Sequence, residues 1–293
     1  MVGLGRIAEA GGVVRRAWVT RLAETCYRTP WVGFCETMNF RKFAPGIEDI
    51  ALGAIASPIL DDEFDQLSPA SSTADGAFQI GLRKSDRMAF AKPSKNHDRA
   101  WKTVVHEKIA SDLAFDLGLP VPPVHVLRGT ARAGMAPWLA VSYIVFPEPR
   151  PFSDRKKSNI PDEYWQRFNG LASAMRVFYT WINDVDHGGH EQNFLFGKPT
   201  PDAEIELAFI DHSYSLAHSA RKNDHLAKPI HQLFSQLDQT ATREIATQII
   251  AFPKSRIEYL VNRLEEILPA GTGTGLVQLL EDGKEVVSKT TRC

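Results

Sequence analysis

NDVDHGGHEQNFLF, residues Asn183–Phe196, read together with IELAFIDHS at Ile205–Ser213, decides how this chain is to be understood. Two aspartates, two histidines, a glycine pair and two asparagines are packed between an amphipathic helical pattern and a short apolar strand. A second apolar strand then ends on Asp211. Polar groups this dense, framed by core-forming segments, mark a site.

Upstream, Pro161 suits a first helical turn, Asp162 and Glu163 suit its positive end, and Trp165, Phe168, Leu171, Met175, Phe178 and Ile182 recur at three- and four-residue steps. That spacing predicts a helix with a core face. Downstream, Phe194–Phe196, the turn GKPTPDA and Ile205–Ile210 predict a hairpin that brings Asn193 close to Asp211 across its two strands. Helices follow around His231–Leu237, Thr240–Ala251 and Lys254–Leu268. From Gly271 the run GTGTG predicts a flexible joint, then one short helix and a polar tail.

The N-terminal side has a different texture. Phe78, Ile80 and Leu82 alternate with polar or small residues, and the alternation resumes at Met88–Lys92 after the turn Lys84–Arg87, which predicts a β-hairpin. Lys92 shares a face with Met88 and Phe90 before Pro93 stops the strand. Val105, Ile109, Leu113 and Leu117, closed by Gly118 and Pro120, predict a helix over about Arg99–Leu117 with Glu107 inside it. Pro120–Pro123 is an extended connector, Val124–Leu127 and Trp138–Phe146 read as strands, and Pro147–Pro161 is a loop or crossover between two halves. Pro58–Gly76, with Asp61, Asp62, Glu63 and Asp65, reads as a surface loop or linker. In Met1–Ile50 the pattern Leu4, Ile7, Ala8, Val13, Val14, Trp18 and Leu22 fits one amphipathic helix interrupted at Gly11-Gly12. Strands and a helix followed by mostly helix make an α+β protein, organised as an N-terminal helical extension (1–57), a β-rich lobe (58–146) and a helical lobe (147–293).

Composition narrows the functional class. At 293 residues, with 43% hydrophobic and 24% charged residues, the chain resembles ordinary globular proteins. A formal charge of −1 argues against broad nucleic-acid binding. Three cysteines, Cys26, Cys35 and Cys293, without CxxC spacing suit neither a disulfide framework nor a thiolate zinc site, and fit a reducing cytoplasm. No run approaches the ~18 apolar residues of a membrane span.

Three readings of the constellation Asp184, Asp186, His187, His190, Asn193, Asp211 and His212 are open. His187 and His190 with nearby carboxylates suggest a metal hydrolase, against which stands a His-Gly-Gly-His spacing unsuited to a rigid helical platform. Phosphoryl transfer needs a lysine on the phosphates, an acid pairing with it, an aspartate near the nucleophile, and Asn and Asp as hard oxygen ligands for Mg²⁺. Lys92, Glu107, Asp186, Asn193 and Asp211 supply these in that order and on suitable elements. A purely structural reading remains: Asn183 and Asp184 as caps, the histidines as loop residues, Asp211 as a turn, Lys92 as an edge lysine, Glu107 on a solvated helix face.

The segments FAKPS around Lys92, VVHEKIASDLAFDLGLPVPPVHVL, WINDVDHGGHEQNFLF and LAFIDHSYSL resemble the corresponding blocks of HipA-like kinases, a bacterial branch of the protein-kinase-like superfamily related in fold to phosphatidylinositol kinases. The resemblance spans about Ala77–Leu216. It implies a bilobal protein-kinase-like fold with a small β-rich N-lobe and a mostly helical C-lobe, ATP with Mg²⁺, and transfer of the γ-phosphoryl group to a hydroxyl of a protein Ser/Thr or a small molecule. It would make Lys92 the phosphate lysine, Glu107 its helix partner, Asp186 the catalytic-loop aspartate and Asn193 and Asp211 the metal ligands. Ser142, Tyr143, Ile144, Val145 and Phe146 would form the connection that hydrogen-bonds adenine, and TADGAFQIG, with Gly76 and Gly81, would cover the nucleotide.

The chain departs from that pattern in two places. Six residues separate Asp186 from Asn193 where the usual loop has four, which makes Asp184 a competing catalytic acid. The covering loop has no GxGxxG. A nucleotide-binding pseudokinase or regulatory module is therefore the alternative, and the sequence leaves open both the acceptor and a regulatory protein partner.

Overall fold

The computed structural model describes residues 41–70, 76–93, 100–128, 138–148, 150–151, 162–186, 193–216, 226, 234, 236–268 and 271–291, which belong to one unit, Phe40–Cys293. The helix expected between Leu4 and Leu22, His187 and His190, all three cysteines and most of the helix expected at His231–Leu237 lie outside these residues.

The alternation at Phe78–Lys92 folds as expected. β2 (Phe78–Leu82) and β3 (Arg87–Pro93) form an antiparallel hairpin, with Asp86 at φ 52 closing the turn. With β1 (Phe64–Gln66), β4 (Val124–Arg128) and β5 (Trp138–Tyr143) they build a five-stranded antiparallel sheet in the order β1-β2-β3-β5-β4. β1 corrects the expectation of a structureless Pro58–Gly76. Three residues in an acidic run are too short to show a period, and tertiary pairing with β2 makes the strand. Its acids meet Arg83, which donates to Asp65 at 3.0 Å and to Glu63 at 2.9 Å.

The two faces of this sheet have different fates. One face, with Phe78, Ile80, Ala89, Ala91, Leu139, Val141 and Tyr143, is covered by Ile47 of α1 (Ile47–Ala56) and by Phe43 in a single apolar cluster. On the other face α2 (Ala100–Asp116) packs against Val124, Val126 and Ala140. The register sets Lys92 opposite Ala140 and Phe90 opposite Ser142, so these residues share the α2 face. Over β2 and β3 that face stays open, with Met88 and Phe90 46% and 38% exposed on a central strand.

α2 is buried almost all round. Val104, Val105, Ile109, Leu113 and Ala114 are in the core, and so are Glu107, Lys108 and Asp112. Its C-terminus closes through Gly118 at φ 70, with Leu119 N–H bonding to Ala114 O at 2.8 Å as in a Schellman motif. At that end Asp116 accepts from Arg256 Nε at 2.7 Å and Nη2 at 3.1 Å, which ties α2 to α5 (Lys254–Glu265).

The helical half is built on α3 (Asp162–Trp181), whose predicted stripe Phe168, Leu171, Met175 and Phe178 is buried. Around it lie α4 (Gln239–Ala251), capped by Asp238, then α5 and α6 (Leu276–Thr290). A three-stranded sheet, β6 (Arg150–Pro151), β7 (Phe194–Gly197) and β8 (Glu206–Phe209), carries the predicted hairpin. The α+β class and the division into a β-rich and a helical lobe are both present. Among the described residues no helix is long and apolar enough to cross a membrane.

GTGTG is not a flexible joint. Gly273 N–H donates to Glu265 Oε1 at 3.0 Å, and a Cβ on Gly273 would overlap Val261 Cγ1. α6 runs 15 residues with Leu276, Leu280 and Val287 buried, and Trp181 Nε1–H bonds to Leu280 O at 2.8 Å. In sequence, a glycine that permits close approach looks the same as one that permits flexing. Gly273→Ala should therefore destabilise the fold by about 1–3 kcal/mol through overpacking, a fall of roughly 2–4 °C per kcal/mol in a protein of this size. Thermal denaturation tests it, and an unchanged melting temperature would mean that the turn is loose.

Candidate active site

Lys92 is the penultimate residue of β3, and strand alternation aims its side chain under the sheet beside the open apolar strip. Nζ lies 2.6 Å from Glu107 Oε1 and 2.6 Å from Asp211 Oδ1. The lysine and glutamate side chains are 11% and 4% exposed, the aspartate 26%. Glu107 also accepts the His212 N–H at 3.1 Å, and Asp211 accepts from Ser213 Oγ at 2.5 Å. One cation between two carboxylates leaves an excess of negative charge on the more open, Asp211 side. Burial alone would lower the Lys92 pKa, but the charges of Glu107 and Asp211 outweigh it and hold the ammonium above its ordinary value. Burial, with the Asp211 charge adding, raises the Glu107 carboxyl despite Lys92 and the His212 N–H.

Two loops close the site from the helical side. Asn183 (φ 50), Asp211 (φ 67) and Leu216 (φ 53) occupy the left-handed region without being glycine, strain of order 1 kcal/mol each that persists only where surroundings enforce it. The loops are stitched by Leu216 N–H to Ile182 O at 2.7 Å and Val185 N–H to Tyr214 O at 3.3 Å. Asp184 is fully buried, its N–H on Tyr179 O at 3.0 Å and its Oδ1 accepting the Asp186 N–H at 2.9 Å. This is an Asx turn that presents Asp186, which is half-buried.

Asn193 immediately precedes β7, and its carbonyl accepts the Ile210 N–H at 2.9 Å, so its side chain and that of Asp211 start from the same end of the hairpin. The Asn193 amide is buried, and its Nδ2 has no hydrogen-bond partner among the described residues. Amide oxygen and nitrogen exchange places by a flip, so a cation at this point would be met by the oxygen.

Ser142 is half-buried opposite Phe90, on the open face. Tyr143, Val145 and Phe146 turn their side chains into the other face's core and offer only backbone to a ligand. Ile144 N–H bonds to Met88 O at 3.1 Å, and Val145 O accepts the Ala44 N–H at 3.0 Å. The connection is pressed against Gly197, where a Cβ would stand 2.7 Å from that of Phe146. Gly76, at φ 61, lies two residues before β2, with its Cβ position 3.8 Å from Pro93 Cγ, close to Lys92 in the chain.

The structure thus joins Lys92, Glu107 and Asp211 directly, and Asn193, Asp184, Asp186 and Ser142 through their elements. His212 is not part of the opening: it is buried, its ring 6.5 Å from Phe178 and 6.0 Å from Tyr179. Among the described residues no group of three His, Cys, Asp or Glu could hold a metal ion. Two contributors were not legible beforehand. Ser213 binds Asp211, and His106 Nδ1 lies 2.9 Å from Ser213 O. The one available signal was His106's place beside Glu107.

No protein-family model and no curated protein sequence matches the chain. Among solved structures it is similar to the Helicobacter pylori proinflammatory kinase CtkA, with a TM-score of 0.52 and 14% identity over 79% of this chain and 97% of that one. Looser likenesses are the Golgi casein kinase with Mn/ADP bound (TM-score 0.46, 13% identity, 93% and 83% of the two chains) and WaaP in complex with acyl carrier protein (0.38, 10%, 85% and 98%). At such identities a likeness speaks for fold alone. With the five-stranded sheet, α2 packed on one of its faces and the helical lobe, it gives this chain a bilobal protein-kinase-like fold.

Proposed function

We propose that this chain is a HipA-like phosphotransferase that moves the γ-phosphoryl group of ATP to a hydroxyl acceptor, a protein Ser/Thr or a small molecule, with Mg²⁺. The observation that carries this reading is Lys92, clamped by Glu107 and Asp211 at the edge of an exposed apolar strip. An apolar roof beside a cation fixed by a helix carboxylate suits a ligand with a flat ring at one end and phosphates at the other.

The roles follow from the placement. Lys92 would neutralise phosphate charge, and Glu107 would keep its ammonium from wandering. Met88 and Phe90 would cover the base, with hydrogen bonds from the backbone of Ser142–Phe146, while Gly76 would start the loop over the phosphates. Asp186 would orient the acceptor hydroxyl and take its proton. Asn193 and Asp211, an amide and a carboxylate, are the donor set for a hard cation, and the buried Asn193 amide without a partner fits that use. Bound there, Mg²⁺ would offset charge on the phosphates. In domain terms 58–146 would be the nucleotide lobe, 147–293 the acceptor lobe and 1–57 an extension.

The six-residue spacing between Asp186 and Asn193 favours a second reading, a nucleotide-binding module without transfer. Melting curves and turnover separate the two. ATP with Mg²⁺ at 100 times its Kd should stabilise the protein by about 2.7 kcal/mol, and Asp211→Ala should remove the Mg²⁺-dependent part. Stabilisation without ATP turnover or autophosphorylation selects the binding module. No stabilisation by any nucleoside triphosphate, with stoichiometric zinc in the purified protein, would overturn both.

A further inference from the structure

His106 and Glu107 are neighbours on α2, yet both reach the same short segment, Asp211–Ser213. Glu107 Oε1 accepts the His212 N–H at 3.1 Å, and His106 Nδ1 lies 2.9 Å from the Ser213 carbonyl oxygen. A carbonyl can only accept, so Nδ1 carries the proton. Ser213 Oγ in turn donates to Asp211 Oδ1 at 2.5 Å. Asp211 itself sits at φ 67, a conformation that a non-glycine residue keeps only when its neighbours hold it there.

Resting on the phosphotransferase reading, in which Asp211 is a metal ligand, we propose that His106 is a positioning residue for Asp211. By fixing the Ser213 carbonyl it places the Ser213 hydroxyl on Oδ1, and so sets how the Asp211 carboxylate faces the site. Nothing in the proposed transfer itself uses His106. Its neighbour Glu107 orients the lysine, while His106 orients the carboxylate, so one helix sets both charges. Displacing α2 would release the two together.

Partners of this outer kind, which orient a ligand without touching the metal, cost about 10–100-fold in metal affinity when removed. In the full-length chain, His106→Ala should therefore raise the Mg²⁺ concentration that half-saturates ATP turnover by about 10–100-fold, with KM for ATP at saturating Mg²⁺ unchanged. His106→Asn, whose amide N–H can stand where Nδ1–H stood, should bring the Mg²⁺ dependence back toward the parent. A purely structural histidine would give no such rescue and no such selectivity.

If His106→Ala keeps the parent's Mg²⁺ dependence, the inference is wrong. It is equally wrong if both variants are impaired alike and both melt early. If the parent shows neither Mg²⁺-dependent turnover nor Mg²⁺-dependent stabilisation by ADP, the phosphotransferase reading fails first and takes the inference with it.

Discussion

Lys92→Met should lower transfer by about 10²–10³-fold and weaken the fold in a pH-dependent way. The substitution keeps the stem and removes the ammonium, leaving Glu107, with its side chain 4% exposed, facing Asp211 with no cation between them. Breaking a buried pair from one side costs about 3–5 kcal/mol, and losing one charge from a phosphate clamp costs about 10²–10³-fold in turnover. The Glu107 pKa is already raised by burial, and loss of Lys92 removes the charge that restrains it. A carboxyl whose folded pKa lies above its unfolded value near 4.5 contributes stability that is complete below that value and lost as pH rises through the folded pKa. The variant should therefore lose most stability at pH 8 and regain part of it toward pH 5, as Glu107 takes up a proton. In the parent the raised Lys92 pKa acts on the opposite flank: its contribution is complete below 10.5 and lost only at higher pH. Adding Glu107→Gln to Lys92→Met should restore stability at pH 8 without restoring turnover. Melting curves from pH 5 to 8 for the parent and both variants check this, and parallel curves would mean that the clamp is not buried as described.

That clamp shows how far the sequence could be read. The direction of Lys92 was legible because a strand has a period of two and Met88, Phe90 and Lys92 obey it. Glu107 was less so, since a four-residue apolar stripe suggests a helix with one wet side. α2 instead is enclosed by β4 and β5, by α5 through Arg256, and by the segment after β8, so the position that reads as solvated is 3% exposed. Burial of a helix on all sides is a property of its neighbours, which local periodicity does not contain. The same holds for β1, made by its pairing with β2, and for Gly273, whose role is set by its packing against Val261 and Glu265 and not by any motif. The nearness of Asn193 to Asp211 in the fold was legible because two short apolar strands on either side of a polar turn predict a hairpin, and that hairpin sets the Asn193 carbonyl against the Ile210 N–H. His106 and Ser213 were missed because their contact joins residues 107 positions apart.

The choice between Asp184 and Asp186 was open in the sequence, and the loop geometry now separates their expected effects. Asp184 is fully buried, and its Oδ1 is occupied by the Asp186 N–H. Tyr179, beneath it, has its hydroxyl pKa pushed well up, chiefly by burial and further by the Asp184 charge. A group sealed in this way cannot meet an incoming hydroxyl, whereas the half-buried Asp186 stands on the turn that Asp184 makes. Asp186→Asn should therefore lower ATP turnover or autophosphorylation by about 10²–10⁴-fold, the range for losing a general base, with the melting temperature close to the parent. Asp184→Asn keeps an oxygen for the Asp186 N–H and should retain most activity, while Asp184→Ala leaves that N–H without its acceptor and should cost about 1–3 kcal/mol of stability. The reverse pattern, activity lost in Asp184→Asn and spared in Asp186→Asn, would transfer the catalytic role to Asp184 and require the loop to open before each turnover. If neither substitution lowers a measurable activity, the acid lies elsewhere, and the six residues before Asn193 have moved this loop out of catalysis.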